Sequence, residues 1–221
     1  MRHAPFKFSL IVGLVLALTF LAGEFLWLFS QGNDAYPRLI QDQAMTVFVE
    51  PKPLKEFLLI DQNSNAFDLS HLKGKWSFLF FGFTHCPDIC PSTLVSLSKL
   101  RARIIKDING SNNIQLAFIS VDPKRDTGTV LKQYIGYFDP SIIGLTGTDL
   151  ELRNLSQQLD AKFEVAPSID KNSYQVYHTS AIFLINPQGQ YVALLTPPFD
   201  ISTISRRFIV IQKIDTLKSL L

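Results

Sequence analysis

Read along the chain, the order of elements predicts an α/β domain with a central mixed sheet flanked by helices. Two apolar runs, "WSFLFFGF" (76–83) and "IQLAFISVD" (114–122), are each followed by a stretch of helical period. That is the pattern of strands buried on both faces and joined by crossover helices. Later, "TSAIFLINPQGQYVALL" (179–195) reads as two strands around a turn, before an amphipathic helix (201–221). Strand, helix, strand, helix, hairpin, helix is the order of a thioredoxin-like fold.

The chain of 221 residues suits one domain plus an extra segment. Its net charge of +2 supplies no basic face, so a nucleic-acid partner is not expected.

The extra segment is N-terminal. Residues 8–23 carry no charge, and the apolar run continues past Glu24 to Phe29. A bilayer core about 30 Å thick needs roughly 20 helical residues, and Ser9–Phe29 has that length. A cleaved signal would end in a small-x-small site, which is missing; "LAGE" places Glu24 where a lipidated cysteine would stand. Arg2 and Lys7 precede the run, so the positive-inside rule exports the rest of the chain. The expectation is a single-pass anchor (1–29) in a bacterial inner membrane, with the globular part in the periplasm or on the outer face. A linker (30–55) containing Gly32, Pro37, Pro51 and Pro53 follows, then the folded domain (56–221).

In that domain "FLLI" (57–60) is a short strand closed by the turn "QNSN" (62–65). After the first long strand, apolar residues at 94, 97, 100, 104, 105 and 108 mark a helix. A helix over 127–138 is capped by Asp126 or Thr127, and one over 150–159 by Thr148 or Asp149. Asn186–Gly189 turns the hairpin.

Both cysteines of the chain lie in "FGFTHCPDIC" (81–90), between the first buried strand and its helix. Open α/β sheets place their sites at the carboxyl ends of strands. Pro91 sets Cys90 just before the helix, with Cys86 in the loop ahead. A helix N-terminus favours thiolate, the form that attacks disulfides and binds metal. Three intervening residues let the sulfurs meet in a disulfide. Closing so small a loop removes little unfolded-state entropy, so a purely stabilising bridge is a weak explanation.

Soft thiolates with an imidazole suit Cu(I) or zinc. Structural zinc wants four protein ligands. Of the four histidines, His3 lies before the anchor, His71 precedes the first central strand, and His85 adjoins Cys86 too closely to converge with it. His178 lies ahead of the hairpin. Spacing alone does not choose among them.

"GFTHCPDICPSTL" (82–94), "FISVDPKRDT" (118–127), "GLTGT" (144–148) and "YQVYHTSAIFLINPQGQY" (174–191) together resemble the Sco/SenC family. These are membrane-anchored thioredoxin-like proteins of cytochrome c oxidase assembly. The resemblance implies a copper site, Cu(I) and/or Cu(II), held by Cys86, Cys90 and His178, with the cysteines also cycling between dithiol and disulfide. It implies delivery of copper to the dinuclear site of cytochrome c oxidase subunit II, and contact with other copper-delivery or thiol-reducing proteins. Asp122 and Asp126 fall in the "DP-x-R-D-T" stretch, as strand-end and cap residues or as support for the ligands. Many members carry an acidic residue before the histidine where this chain has Tyr177, and the turn at 62–65 lacks a glycine, which Asn65 in a left-handed conformation would replace. Two other roles stay open: a thiol-disulfide oxidoreductase that reduces the cysteines of the subunit II site, and a redox or copper sensor.

Overall fold

The computed structural model describes residues 16–24, 40–41, 44–108, 113–166 and 174–219. The chain divides into two units, Met1–Arg38 and Leu39–Leu221. In the first, residues 16–24 are helical (α1), and the rest of the expected anchor lies outside the described residues. No helix among the described residues is long and apolar enough to cross a membrane.

The second unit opens with β1 (Ile40–Gln41), β2 (Met45–Pro53), β3 (Leu58–Asp61) and β4 (Ala66–Asp68). Two strand–helix–strand crossovers follow: β5 (Trp76–Gly82), α2 (Ile89–Asp107), β6 (Ile114–Ser120), α3 (Gly128–Phe138) and β7 (Ile142–Thr146). The remainder is α4 (Asp149–Gln158), β8 (Phe163–Val165), β9 (Val176–His178), β10 (Ile182–Ile185), β11 (Gln190–Leu195) and α5 (Ile201–Ser219).

The main sheet runs β1-β2-β11-β10-β5-β6-β7-β3-β4. Only β5, β6 and β7 pair in parallel, so the sheet is mixed as expected. β8 and β9 form a separate antiparallel pair. Every residue of β5, β6 and β10 is buried, which explains their unbroken apolar reading. Phe208 of α5 packs on Trp76 and Phe78 at ring distances of 5.3 and 5.5 Å, and Phe81 meets Phe183 at 5.7 Å. Each such ring, fully buried, is worth about 1.5–3 kcal/mol. These contacts hold β5 along its length, and the cysteine loop departs from its Gly82 end.

The caps follow the sequence reading. The Thr127 hydroxyl accepts from the Val130 amide, and Thr148 with Glu151 forms a reciprocal capping box. Asn186 Oδ1 accepts from the Gln188 and Gln190 amides, and Gly189 takes a φ of +78° that closes the hairpin.

Two expectations are corrected, and one strand is added. Residues 45–53, assigned to the linker, form β2 beside β11, with Met45 and Val47 buried. Pro51 and Pro53 are tolerated because, among the described residues, β1 pairs with Thr46 and Val47 and no strand covers that end of β2 on the side away from β11. β7 was not foreseen, being a five-residue run interrupted by Gly144. At the β3–β4 turn Ser64, not Asn65, is left-handed, with a φ of 67°. Asn65 instead donates both its backbone and side-chain amides to the Asp61 carboxylate.

Candidate metal centre

The site begins at Gly82, the last residue of β5. A Cβ there would lie 2.6 Å from the Phe118 ring and 2.9 Å from the Cys90 sulfur, closer than atoms pack. Glycine therefore lets the sulfur rest against the strand end. The loop that follows is held from below. Asp126, fully buried, accepts from the Thr84 amide at 2.9 Å, the Thr84 hydroxyl at 2.6 Å and the Ser120 hydroxyl at 2.5 Å. This carboxylate thus secures the residue two before Cys86, while Thr127 takes the cap of α3.

Cys90 does not precede the helix, as Pro91 suggested, but sits in its first turn, since α2 starts at Ile89. Proline is tolerated there because first-turn amides have no intrahelical partner. One of those amides, that of Cys90, donates to the Cys86 sulfur at 3.3 Å. Cys90 is wholly buried and Cys86 is 9% exposed. Burial pushes the Cys90 thiol well above its ordinary range, the reverse of the shift expected from the helix terminus. Desolvation outweighs the dipole because the sulfur is wholly buried and packed against Gly82 at the end of β5.

His178 ends β9, opposite Phe163 of β8. Its Nδ1 lies 3.1 Å from the Thr179 carbonyl, which can only accept, so Nδ1 carries the proton. Nε2 then offers its lone pair to the Cys90 sulfur, 3.3 Å away. Phe80 and Phe83 flank the ring edge-on, each at 5.9 Å. Burial lowers the pKa of His178 and keeps the imidazole neutral, despite the opposing bond to Thr179.

The three residues expected to converge do so. The donor atoms of Cys86, Cys90 and His178 all lie within 4.8 Å of one another, and both thiols are free. They form the one such group of metal-ligating side chains among the described residues. His85 stays outside, exposed, with Nδ1 3.1 Å from the Thr84 hydroxyl and 3.8 Å from Asp126. His71 bonds Asp68 at 2.9 Å, and His3 lies outside the described residues. A cleft of about 520 Å³ reaches His178 from the solvent side, lined by Arg153, Lys162, Phe163, Glu164 and Tyr177. Gly82, Arg125 and Tyr174 escaped the sequence reading as site residues, whereas Asp126 was expected as a cap or as support for the ligands. Of these, Arg125 lies in the "DP-x-R-D-T" run.

The SCO1/SenC family model matches residues 50–211. Protein SCO2, mitochondrial, of Saccharomyces cerevisiae is 41% identical over 65% of this chain and 48% of its own length. This chain thus spans about half of that relative. Protein SCO1, mitochondrial, of the same yeast is 34% identical over 91% of this chain and 68% of its own. The crystal structure of yeast Sco1 with copper bound superposes with a TM-score of 0.69 at 35% identity, covering 74% of this chain and 90% of that one.

Proposed function

Since the chain belongs to the SCO1/SenC family, we propose that it is a membrane-anchored copper chaperone that loads the dinuclear copper site of cytochrome c oxidase subunit II. The observation that carries this reading is the meeting of two sulfurs and one imidazole nitrogen within 4.8 Å. Two thiolates and a neutral imidazole form a soft three-coordinate set, which selects Cu(I) over harder ions. The same residues hold Cu(II) once further ligands join.

Each residue has a defined part. Cys86, at the margin of solvent, is the ligand an incoming partner meets first. Cys90 forms the floor, where the metal replaces a thiol proton that burial otherwise retains. His178 closes the third side with Nε2, its ring aimed by the Thr179 carbonyl. Partners approach over the cleft beside Tyr177. Anchoring through Ser9–Phe29 would hold the domain on the outer face of a bacterial inner membrane, with Arg2 and Lys7 on the inner side.

A second reading is favoured by the proximity of the free thiols. A thiolate attacks a partner disulfide, the other cysteine displaces the partner sulfur, and Cys86–Cys90 becomes the disulfide while the partner leaves as a dithiol. Two electrons and two protons pass to the partner. Such exchange needs no histidine.

The test is copper analysis of the full chain, purified reduced and anaerobically. One copper per chain is expected, with almost none in the disulfide form or in Cys86→Ser. Equal copper in the oxidised and reduced forms would contradict the assignment of the ligands.

A further inference from the structure

The turn after β6 touches both halves of the site, through different side chains. Asp126 takes the cysteine loop. Asp122 and Arg125 take the segment that leads into β9. Asp122, 2% exposed, accepts from Arg125 Nε and, at 2.5 Å, from the Tyr174 hydroxyl. Arg125 Nη1 donates to the Tyr174 carbonyl at 3.3 Å, and the guanidinium lies 3.8 Å over the Tyr174 ring. Its other neighbour is Phe83, 5.8 Å away, whose ring also meets His178 at 5.9 Å. Burial, helped by the bond to Asp122, pushes the Tyr174 phenol up to about 12, so it stays a donor at neutral pH.

Arg125 Nη2 is buried without a hydrogen-bond partner among the described residues. A buried donor left unpaired is unfavourable. The cation–π contacts with Tyr174 at 3.8 Å and Phe83 at 5.8 Å offset that cost, so the guanidinium is placed by the rings as well as by its charge.

We infer that Arg125 is the positioning residue of the histidine arm: tied to Asp122 and stacked against Tyr174 and Phe83, it fixes where β9 begins and hence where His178 meets the sulfurs. This rests on the copper reading, because the placement of the imidazole matters to a metal and not to thiol exchange. Lysine is no substitute. It keeps a charge beside Asp122 but has neither the plane that stacks nor the second donor for the Tyr174 carbonyl. Partners that orient a ligating histidine typically change metal affinity about 10–100-fold when replaced.

The test compares the full chain with Arg125→Lys, which spares the ion pair with Asp122, and with Tyr174→Leu, which keeps Arg125 but removes its platform. Both variants should lose copper to a chelator about tenfold faster than wild type. Nitrogen coupling in the Cu(II) electron paramagnetic spectrum should weaken, while Cys86–Cys90 disulfide formation keeps its wild-type rate. Unchanged coupling and retention, or loss of thermal stability alone, would overturn the inference. Hydrogen exchange on the copper-free chain separates it from the copper reading. Amides of 174–179 should exchange faster in both variants while those of 84–90 do not. Equal protection in the two segments overturns it whether or not copper binds, whereas a wild-type chain that takes up no copper contradicts the chaperone reading instead.

Discussion

The cysteine loop grows out of β5, a strand buried along its whole length, and its base is tied down by two hydrogen bonds from Thr84 to a buried carboxylate that Ser120 of β6 also holds. His178 instead ends a three-residue strand in a two-stranded sheet, and is reached through Tyr174 and Arg125. One arm is placed by the core of the domain, the other by a small polar and aromatic clamp. The sulfur pair should therefore keep its geometry when the histidine arm is disturbed. Damage to the cysteine arm should reach the stability of the whole domain.

The largest effect is expected at Asp126. Asp126→Ala leaves the Thr84 amide and the Thr84 and Ser120 hydroxyls without their acceptor, at about 1–3 kcal/mol for each buried group. A loss of about 3 kcal/mol or more in denaturant unfolding should accompany slower disulfide closure. A loss under about 1 kcal/mol would mean that the cysteine loop is not held from below.

A smaller effect is expected at Gly82. Alanine there must push aside the Phe118 ring or the Cys90 sulfur, and such overpacking costs about 1–3 kcal/mol. Copper retention should fall with it, because the displaced atom is a ligand, while amide protection in β9 should not change. A stable Gly82→Ala chain that binds copper normally would show that the strand end has room to spare.

The contrast between the arms also explains what was legible in the sequence. β5, β6 and the β10–β11 hairpin are long or continuous apolar runs, and α2 has a clear helical period, so local pattern reveals them. Caps at Thr127 and Thr148 depend on neighbours three residues away and are equally local. β2 escaped because its prolines resemble a linker, and their tolerance depends on which neighbour the strand lacks. The two cysteines declare themselves by spacing. His178 does not, since 88 residues separate it from Cys90, and only resemblance to a family singled it out. The burial of Cys90 was likewise invisible, because it arises where the sulfur packs against Gly82 at the strand end. The grip of Asp126 on Thr84 joins residues 42 apart, and no local signal encodes it.

The most direct measurement is the pairing of copper retention with disulfide formation in His178→Ala, made on the reduced full-length chain. The variant should lose copper at least about tenfold faster than wild type. On mild oxidation it should still form the Cys86–Cys90 bridge within one chain, at the wild-type rate and with a mass loss of two hydrogens. Copper held as firmly by His178→Ala as by wild type would contradict the three-ligand centre and leave thiol exchange as the function of the pair.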